Sequence, residues 1–155
     1  MQHSQTATFA AGCFWHVQDA FKKIPGVLSA TAGYTGGTLS NPRYEDTHDG
    51  TSGHAEAVEV VFDPEQLSYS KLLEEFWKMH DPTQLNRQGP DVGHQYRSAI
   101  FYHSPKQKEE AEASRSKLHL GKPIATEIVP ASTFWRAEEY HQYYFQKHGI
   151  NVCSI

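Results

Sequence analysis

The chain has 155 residues, of which 38% are hydrophobic and 21% are charged, a composition typical of a globular rather than a disordered protein. Its formal net charge of −4 argues against a nucleic-acid-binding protein, and no apolar run reaches the roughly 18 residues that predict a membrane span. The first nine residues do not predict a secretory signal and the chain has only two cysteines, so we expect a cytoplasmic protein without a disulfide scaffold.

The predicted elements begin with a strand, a helix and a second strand. Residues 6–11 are small and apolar and predict the first strand. Apolar side chains then recur with helical spacing over 17–24, and a Pro-Gly pair ends that helix. Residues 27–34 predict the second strand. The polar, glycine-rich stretch 35–53 follows, and a loop of this length is usually functional.

The rest of the chain again alternates between strands, helices and loops. We predict a strand over 54–62 and then a helix that is capped by Ser68 or Ser70 and ends before Pro82. A loop over 81–97 and a strand over 98–102 follow. The next helix begins after the capping box at Ser104 and runs to Gly121, and it is followed by a strand over 124–129 and a helix over 136–147. This order gives no clean βαβ repeat, so we predict an α+β sandwich with helices packed on a mainly antiparallel sheet. We expect one domain over 1–155, with 149–155 as a mobile C-terminal tail.

Cys13 lies where the first predicted strand ends and the first helix begins. The free N–H groups and the dipole at a helix N-terminus favour a thiolate, and Gly12 permits a tight turn that leaves the sulfur accessible. Phe14 and Trp15 add large aromatic side chains to a helix whose other apolar residues already form a core face, so these two can line an apolar pocket beside the sulfur. The alternatives are a buried cysteine that packs as a small hydrophobic residue and ordinary aromatic packing.

Glu56 falls on the same face of its predicted strand as the apolar residues that follow it. A carboxyl group on that face is either desolvated or paired, and desolvation raises its pKa and keeps a proton available near neutral pH. The alternative is that the end of the strand is frayed and that the carboxyl group is exposed. Tyr44, Tyr96 and Asp91 lie in the two long loops. A Tyr hydroxyl can donate to an oxygen at pH 7, but for any one of eight Tyr residues a structural role is the simpler interpretation.

Cys153 lies in the tail beyond Gly149. A mobile tail can carry a thiol to a distant site. The alternative is a structural Cys13–Cys153 disulfide in an oxidising compartment, which the lack of a predicted secretion signal disfavours.

The histidines suggest a possible metal site, but the H-E-x-x-H pattern of metalloproteases is absent. Two E-x-x-H pairs occur, Glu45 with His48 and Glu138 with His141. The first pair lies between a proline and a glycine, a poor place for the helix that such spacing requires. We therefore predict no metal site.

Several motifs in a fixed order resemble those of the peptide methionine sulfoxide reductase A family. They are GCFW at 12–15, GYTGG at 33–37, NPRY at 41–44, GHAEAV at 53–58, HDP at 80–82, RQGPD at 87–91 and QYRS at 95–98. The resemblance extends from Ala7 to about Phe145. Two positions depart from the family pattern: His16 replaces the usual glycine, and His48 stands where some members have a cysteine.

The resemblance implies a two-layer α/β sandwich that reduces the S epimer of methionine sulfoxide, free or in proteins, without a metal or organic cofactor. It also implies thioredoxin as the reductant, and we expect a monomer. It implies these roles: Cys13 as nucleophile, Phe14 and Trp15 holding the substrate methyl group, Glu56 as acid, Tyr44 and Tyr96 binding the sulfoxide oxygen, Asp91 ordering the site and Cys153 recycling Cys13 through a disulfide. The competing hypotheses are a thiol peroxidase and a non-catalytic module that binds oxidised methionine.

Overall fold

The computed structural model describes residues 4–48 and 52–149. Its strands are β1 (Gln5–Ala11), β2 (Val27–Thr35), β3 (Ala55–Phe62), β4 (Arg87–Gln88), β5 (Asp91–Val92), β6 (Ser98–Tyr102), β7 (Glu127–Pro130) and β8 (Trp135–Arg136). Its helices are α1 (Phe14–Lys22), α2 (Tyr44–His48), α3 (Tyr69–Lys78), α4 (Pro105–Ser116) and α5 (Tyr144–Lys147), with 3₁₀ turns at His94–Tyr96 and Glu139–His141. In this part of the chain, no helix combines the length and hydrophobicity needed to cross a bilayer.

Six strands form one sheet in the order β7-β6-β1-β3-β2-β8, and β4 pairs with β5 as a separate hairpin. All neighbours in the large sheet are antiparallel except β6 and β7, which are parallel. The predicted α+β class with a mainly antiparallel mixed sheet is therefore confirmed. The central strands β1 and β3 bring the N-terminal end of α1 and the start of β3 to the same end of the sheet.

Large apolar side chains fill the layer between the sheet and the helices. The ring of Phe9 on β1 stacks against Phe21 of α1, with centroids 5.0 Å apart, and against Phe76 of α3 at 5.1 Å. The opposite face of the sheet has smaller residues such as Ala57 and Ala99, which the segment around Phe134 covers. The helices thus form one layer and the sheet the other, as the resemblance implied.

The prediction of a helix over 136–147 is wrong. This segment begins in β8, continues through a 3₁₀ turn, and is interrupted at Tyr143, whose φ of 52° is left-handed. The Gln142 side chain accepts a hydrogen bond from Ala32 N (3.0 Å) and donates one to Ala32 O (2.8 Å), so it pairs with the backbone of β2. These tertiary hydrogen bonds override the helical spacing of the sequence.

Other parts of the prediction also differ from the structure, and the strand predicted over 124–129 is β7, which begins only at Glu127. The loop over 35–53 contains α2, although its proline and glycine argued against a helix. Local side chains close this turn, because Arg43 N donates to Asp46 Oδ2 (2.8 Å) and Thr47 Oγ1 donates to Tyr44 O (2.7 Å). Helix α4 ends at Ser116 rather than continuing to Gly121.

Candidate active site

Cys13 is the N-cap residue of α1, directly after β1, as predicted. Its side chain is half-buried and makes no capping hydrogen bond. Gly12 has a φ of 96°, and a Cβ atom there would lie 2.9 Å from the Gln88 side chain. Glycine is therefore required both for the turn that presents the sulfur and for the close approach of the β4–β5 hairpin.

Glu56 lies on the buried face of β3 and is only 1% exposed, which confirms the predicted strand phase. Its Oε1 accepts the free backbone N–H of Phe14, the first residue of α1, at 3.2 Å. Its Oε2 has no hydrogen-bond partner among the described residues. Burial raises the pKa of Glu56 to about 8, a shift that the Phe14 N–H opposes and to which the negative charge of Asp91 contributes. The group therefore holds a proton at neutral pH.

The helix N-terminus acts on Cys13 in the predicted direction, but in the free protein other groups outweigh it. Burial raises the pKa of Cys13 to about 12, and the negative charges of Glu56 and Asp91 act in the same direction. The backbone N–H groups of Trp15 and His16 lower it by less. The helix N-terminus is thus outweighed by desolvation and by two acidic neighbours on other elements, and Cys13 is a thiol at pH 7.

The structure brings Tyr44, Tyr96 and Asp91 to the same place as Cys13 and Glu56. Burial, followed by the Glu56 charge, raises the pKa of Tyr44, and an interaction with the Tyr96 hydroxyl opposes this shift. Burial, followed by Glu56, also raises the pKa of Tyr96, and Asp91 contributes to that shift. Both hydroxyls therefore keep their protons and can donate hydrogen bonds beside the sulfur.

Phe14 and Trp15 differ in accessibility. Phe14 has no exposed surface, and its ring packs against Tyr34 and His141, with centroids 5.6 and 5.2 Å apart. Trp15 is only partly buried, and Tyr144 stacks on it with centroids 3.7 Å apart. A methyl group beside the sulfur would contact Trp15 directly, with Phe14 behind it in the core.

Sequence reasoning missed the residues that hold these aromatic side chains in place. The Trp15 indole N–H donates to His141 Nδ1 at 3.0 Å, and the Glu138 carboxylate binds Tyr34 and Tyr44. The E-x-x-H spacing had drawn attention to this pair as metal ligands. In the structure Glu138 binds the Tyr34 hydroxyl and the Tyr44 backbone, and His141 binds the Trp15 indole. No group of three or more metal-ligating side chains occurs within the described residues.

Two further residues that the sequence analysis singled out are His16 and Cys153. The His16 ring packs edge-on against Phe145, with centroids 4.8 Å apart, and burial lowers its pKa. Cys153, the predicted recycling cysteine, lies outside the described residues.

The chemistry available here is the transfer of an oxygen atom to sulfur. A thiol, a protonated carboxyl group with an unpaired oxygen and two Tyr hydroxyls converge next to an exposed aromatic surface. Such a set can protonate and bind an oxygen atom while the sulfur attacks the atom that carries it.

A family model and curated relatives both match this chain over nearly its full length. Residues 5–155 match the family model described as peptide methionine sulfoxide reductase. Peptide methionine sulfoxide reductase MsrA of Geobacter sulfurreducens is 58% identical over 154 residues, which cover 96% of this chain and 94% of the relative.

Solved structures are also similar to this fold. Saccharomyces cerevisiae Mxr1 in reduced form has a TM-score of 0.91 and 32% sequence identity, with 97% of this chain and 89% of Mxr1 covered. Mxr1 in complex with Trx2 has a TM-score of 0.65 and 26% identity, with 97% of this chain and 86% of Mxr1 covered.

Proposed function

The chain belongs to the peptide methionine sulfoxide reductase family, and on that premise we propose that it reduces the S epimer of methionine sulfoxide, free or within proteins, to methionine. The observation that carries this proposal is the pairing of Cys13 with a buried, protonated Glu56 that has a free oxygen. A thiol peroxidase would have no need for a buried proton donor, and a binding module would have no need for a thiol at this point.

In the first step the sulfur of Cys13 attacks the sulfoxide sulfur. Glu56 gives its proton to the sulfoxide oxygen and recovers a proton from the Cys13 thiol, so the acid is regenerated. The hydroxyl group so formed passes from the substrate sulfur to the Cys13 sulfur as the S–O bond of the substrate and the new S–S bond both break, so methionine leaves and Cys13 becomes a sulfenic acid. Thiol and sulfoxide are thereby converted to sulfenic acid and sulfide with no external proton.

Tyr44 and Tyr96 donate hydrogen bonds to the sulfoxide oxygen as negative charge develops on it. Trp15, backed by Phe14, holds the substrate methyl group, and Asp91 orders the site from the β4–β5 hairpin. These roles are supported by the convergence of the two hydroxyls and by the partial exposure of Trp15 beside the sulfur.

Recycling uses the second cysteine. The Cys153 thiol condenses with the sulfenic acid of Cys13 to form a disulfide and water, and a dithiol such as thioredoxin then reduces that disulfide by exchange. The complex of the similar protein Mxr1 with Trx2 supports a reductant of this class. The cycle needs both thiols reduced, which suits the reducing cytoplasm. We further propose that the protein acts as a monomer without a metal or organic cofactor.

The test is a turnover assay with resolved S and R methionine sulfoxides and dithiothreitol, in which released methionine is measured. We expect methionine from the S epimer only, and none from a folded Cys13→Ser protein, because serine lacks thiolate nucleophilicity. Turnover of hydrogen peroxide in place of the sulfoxide would support a peroxidase. Binding of a sulfoxide peptide without consumption of dithiothreitol would support a binding module. Either result would overturn the proposal.

A further inference from the structure

The carboxylate of Glu138 links two parts of the candidate site. Its Oε1 accepts the hydroxyl of Tyr34 at 2.7 Å, and its Oε2 accepts the backbone N–H of Tyr44 at 3.0 Å. Tyr34 is fully buried in β2, whereas Tyr44 is the first residue of α2. One side chain therefore connects the rigid core of the sheet to the short helix that carries a proposed oxygen-binding hydroxyl.

Few hydrogen bonds attach α2 to the rest of the described chain. Within residues 41–48, the bonds at Arg43 and Thr47 close the segment on itself. Among the described residues, the polar contacts that leave the segment are the bond from Tyr44 N to Glu138, the interaction of the Tyr44 hydroxyl with Tyr96, and a long contact of 3.4 Å between His48 and Gln95. Of these, the bond to Glu138 is the one that holds the backbone of Tyr44.

Tyr34 is a common reference point for the acid and for the hydroxyl. In the antiparallel pairing of β2 with β3, Tyr34 lies directly opposite Glu56. The backbone ladder therefore fixes Glu56 relative to Tyr34, and the Glu138 carboxylate fixes Tyr44 relative to the same residue. The distance between the proton donor and the oxygen-binding hydroxyl is set through this pair of connections.

We propose that Glu138 is a positioning residue that holds the Tyr44 hydroxyl in register with Glu56, an inference that rests on the proposed reduction of methionine sulfoxide. Both oxygens of Glu138 are occupied by protein donors. Its contribution to the rate is therefore made through Tyr44, and a loss of alignment of about 1 Å at a reacting group can cost on the order of 100-fold.

Two substitutions of Glu138 separate hydrogen bonding from charge. Glu138→Ala removes both bonds, and we expect the single-turnover rate of sulfoxide reduction to fall by about 10- to 100-fold. Glu138→Gln removes the charge but keeps both bonds, because its amide oxygen can accept from Tyr44 N and its amide N–H can donate to the Tyr34 hydroxyl. We expect it to remain within a few-fold of wild type.

The matched control is Glu139→Ala. Glu139 is the adjacent residue of the same type, but it is exposed and its carboxylate faces Arg136 and Lys147 at the surface. We expect the single-turnover rate of this variant to equal that of wild type.

A double-mutant cycle with Tyr44→Phe shows whether Glu138 acts through the hydroxyl. In the Tyr44→Phe background, Glu138→Ala should cause little further loss of rate, because the group that it positions is gone. The rate of Cys13 alkylation by iodoacetamide should be the same in all four proteins, since it does not involve Tyr44. Should Glu138→Ala fail to fold, Tyr34→Phe removes one of the two bonds and should show a smaller loss with the same dependence on Tyr44.

The inference is overturned by a wild-type rate in Glu138→Ala, by an undiminished effect in the Tyr44→Phe background, or by a Glu138→Gln variant as slow as the alanine variant. Failure of the proposed function gives a different result, because the wild-type protein itself would then release no methionine from the S sulfoxide.

Discussion

At the scale of single residues, the site is governed by two groups that keep their protons at neutral pH. Burial, with neighbouring acidic charge acting in the same direction, raises the pKa of Cys13 to about 12 and that of Glu56 to about 8. A carboxylic acid has one oxygen that donates and one that accepts, so Glu56 can deliver a proton to the sulfoxide while it takes one from Cys13. The Cys13 thiol and the Glu56 carboxyl group therefore both carry a proton when the reaction begins.

Glu56→Gln should slow the single-turnover reduction of methionine sulfoxide by roughly 100- to 10,000-fold, the usual contribution of general acid catalysis. The folded-state pKa of Glu56 is raised, so the acid form is present below about pH 8 and is lost as the pH rises through that value. The wild-type rate should accordingly fall above about pH 8, and the slower variant should lack this fall. Glu59→Gln, on the other face of the same strand, is the matched control.

The same substitution should have the opposite effect on a simpler reaction of Cys13. The Glu56 carboxylate raises the pKa of Cys13, so its removal favours the thiolate, and iodoacetamide should alkylate Glu56→Gln faster than wild type at pH 9. Slow reduction with fast alkylation identifies Glu56 as the proton donor. A variant that reduces the sulfoxide within a few-fold of wild type at every pH would instead make Glu56 a structural residue.

The sequence predicts some of these residues better than others. The burial of Glu56 follows from the alternation of side chains along one strand, and the position of Cys13 follows from a strand that meets a helix. The direction of the Cys13 pKa shift does not follow, because it is set first by burial in the folded protein and then by Glu56 and Asp91, which come from other elements. Tyr44 and Tyr96 stand out only by resemblance, since no local pattern distinguishes them from six other Tyr residues.

At the scale of elements, helix starts are set by single side chains. The sequence left Ser68 and Ser70 as alternative caps of α3, and the structure selects Ser68, whose Oγ accepts the backbone N–H of Lys71 at 3.1 Å. Ser68→Ala should therefore lower the free energy of unfolding by about 1 kcal/mol, measured by urea denaturation. Ser70→Ala lies within the helix and should change it by only a few tenths of a kcal/mol. Equal effects would contradict Ser68 as the cap.

Elements defined by local chemistry were predicted well, and those defined by distant partners were not. The strands β1, β2 and β3 have clear apolar runs, and their bounds agree with the prediction within a residue or two. The segment over 136–147 carries helical spacing, yet Gln142 binds the backbone of β2 and the Gln18 side chain. Those partners lie more than 100 residues away in the sequence, so no local pattern could reveal them.

At the scale of the whole molecule, the fold brings its C-terminal segment back to the helix that begins at Cys13. Tyr144 stacks on Trp15, with centroids 3.7 Å apart, and His148 packs against Tyr144 at 4.2 Å. The described chain ends at Gly149. Cys153 follows Gly149 by four residue steps, and an extended chain of that length spans at most about 14 Å. The last described part of the C-terminal segment therefore lies against the helix that begins at Cys13.

This arrangement predicts that one equivalent of methionine sulfoxide converts the wild-type protein to a Cys13–Cys153 disulfide, which peptide mapping under non-reducing conditions detects. Cys153→Ser should still release one methionine but retain a sulfenic acid on Cys13, because no second thiol is present to condense with it. Turnover supported by thioredoxin should then fall sharply, whereas dithiothreitol, a small dithiol, can attack the sulfenic acid directly and restore part of it. Ser154→Ala changes the next residue without touching a thiol and should turn over like wild type. A wild-type protein that completes its first turnover with no Cys13–Cys153 linkage would exclude Cys153 as the recycling residue while leaving the chemistry at Cys13 intact.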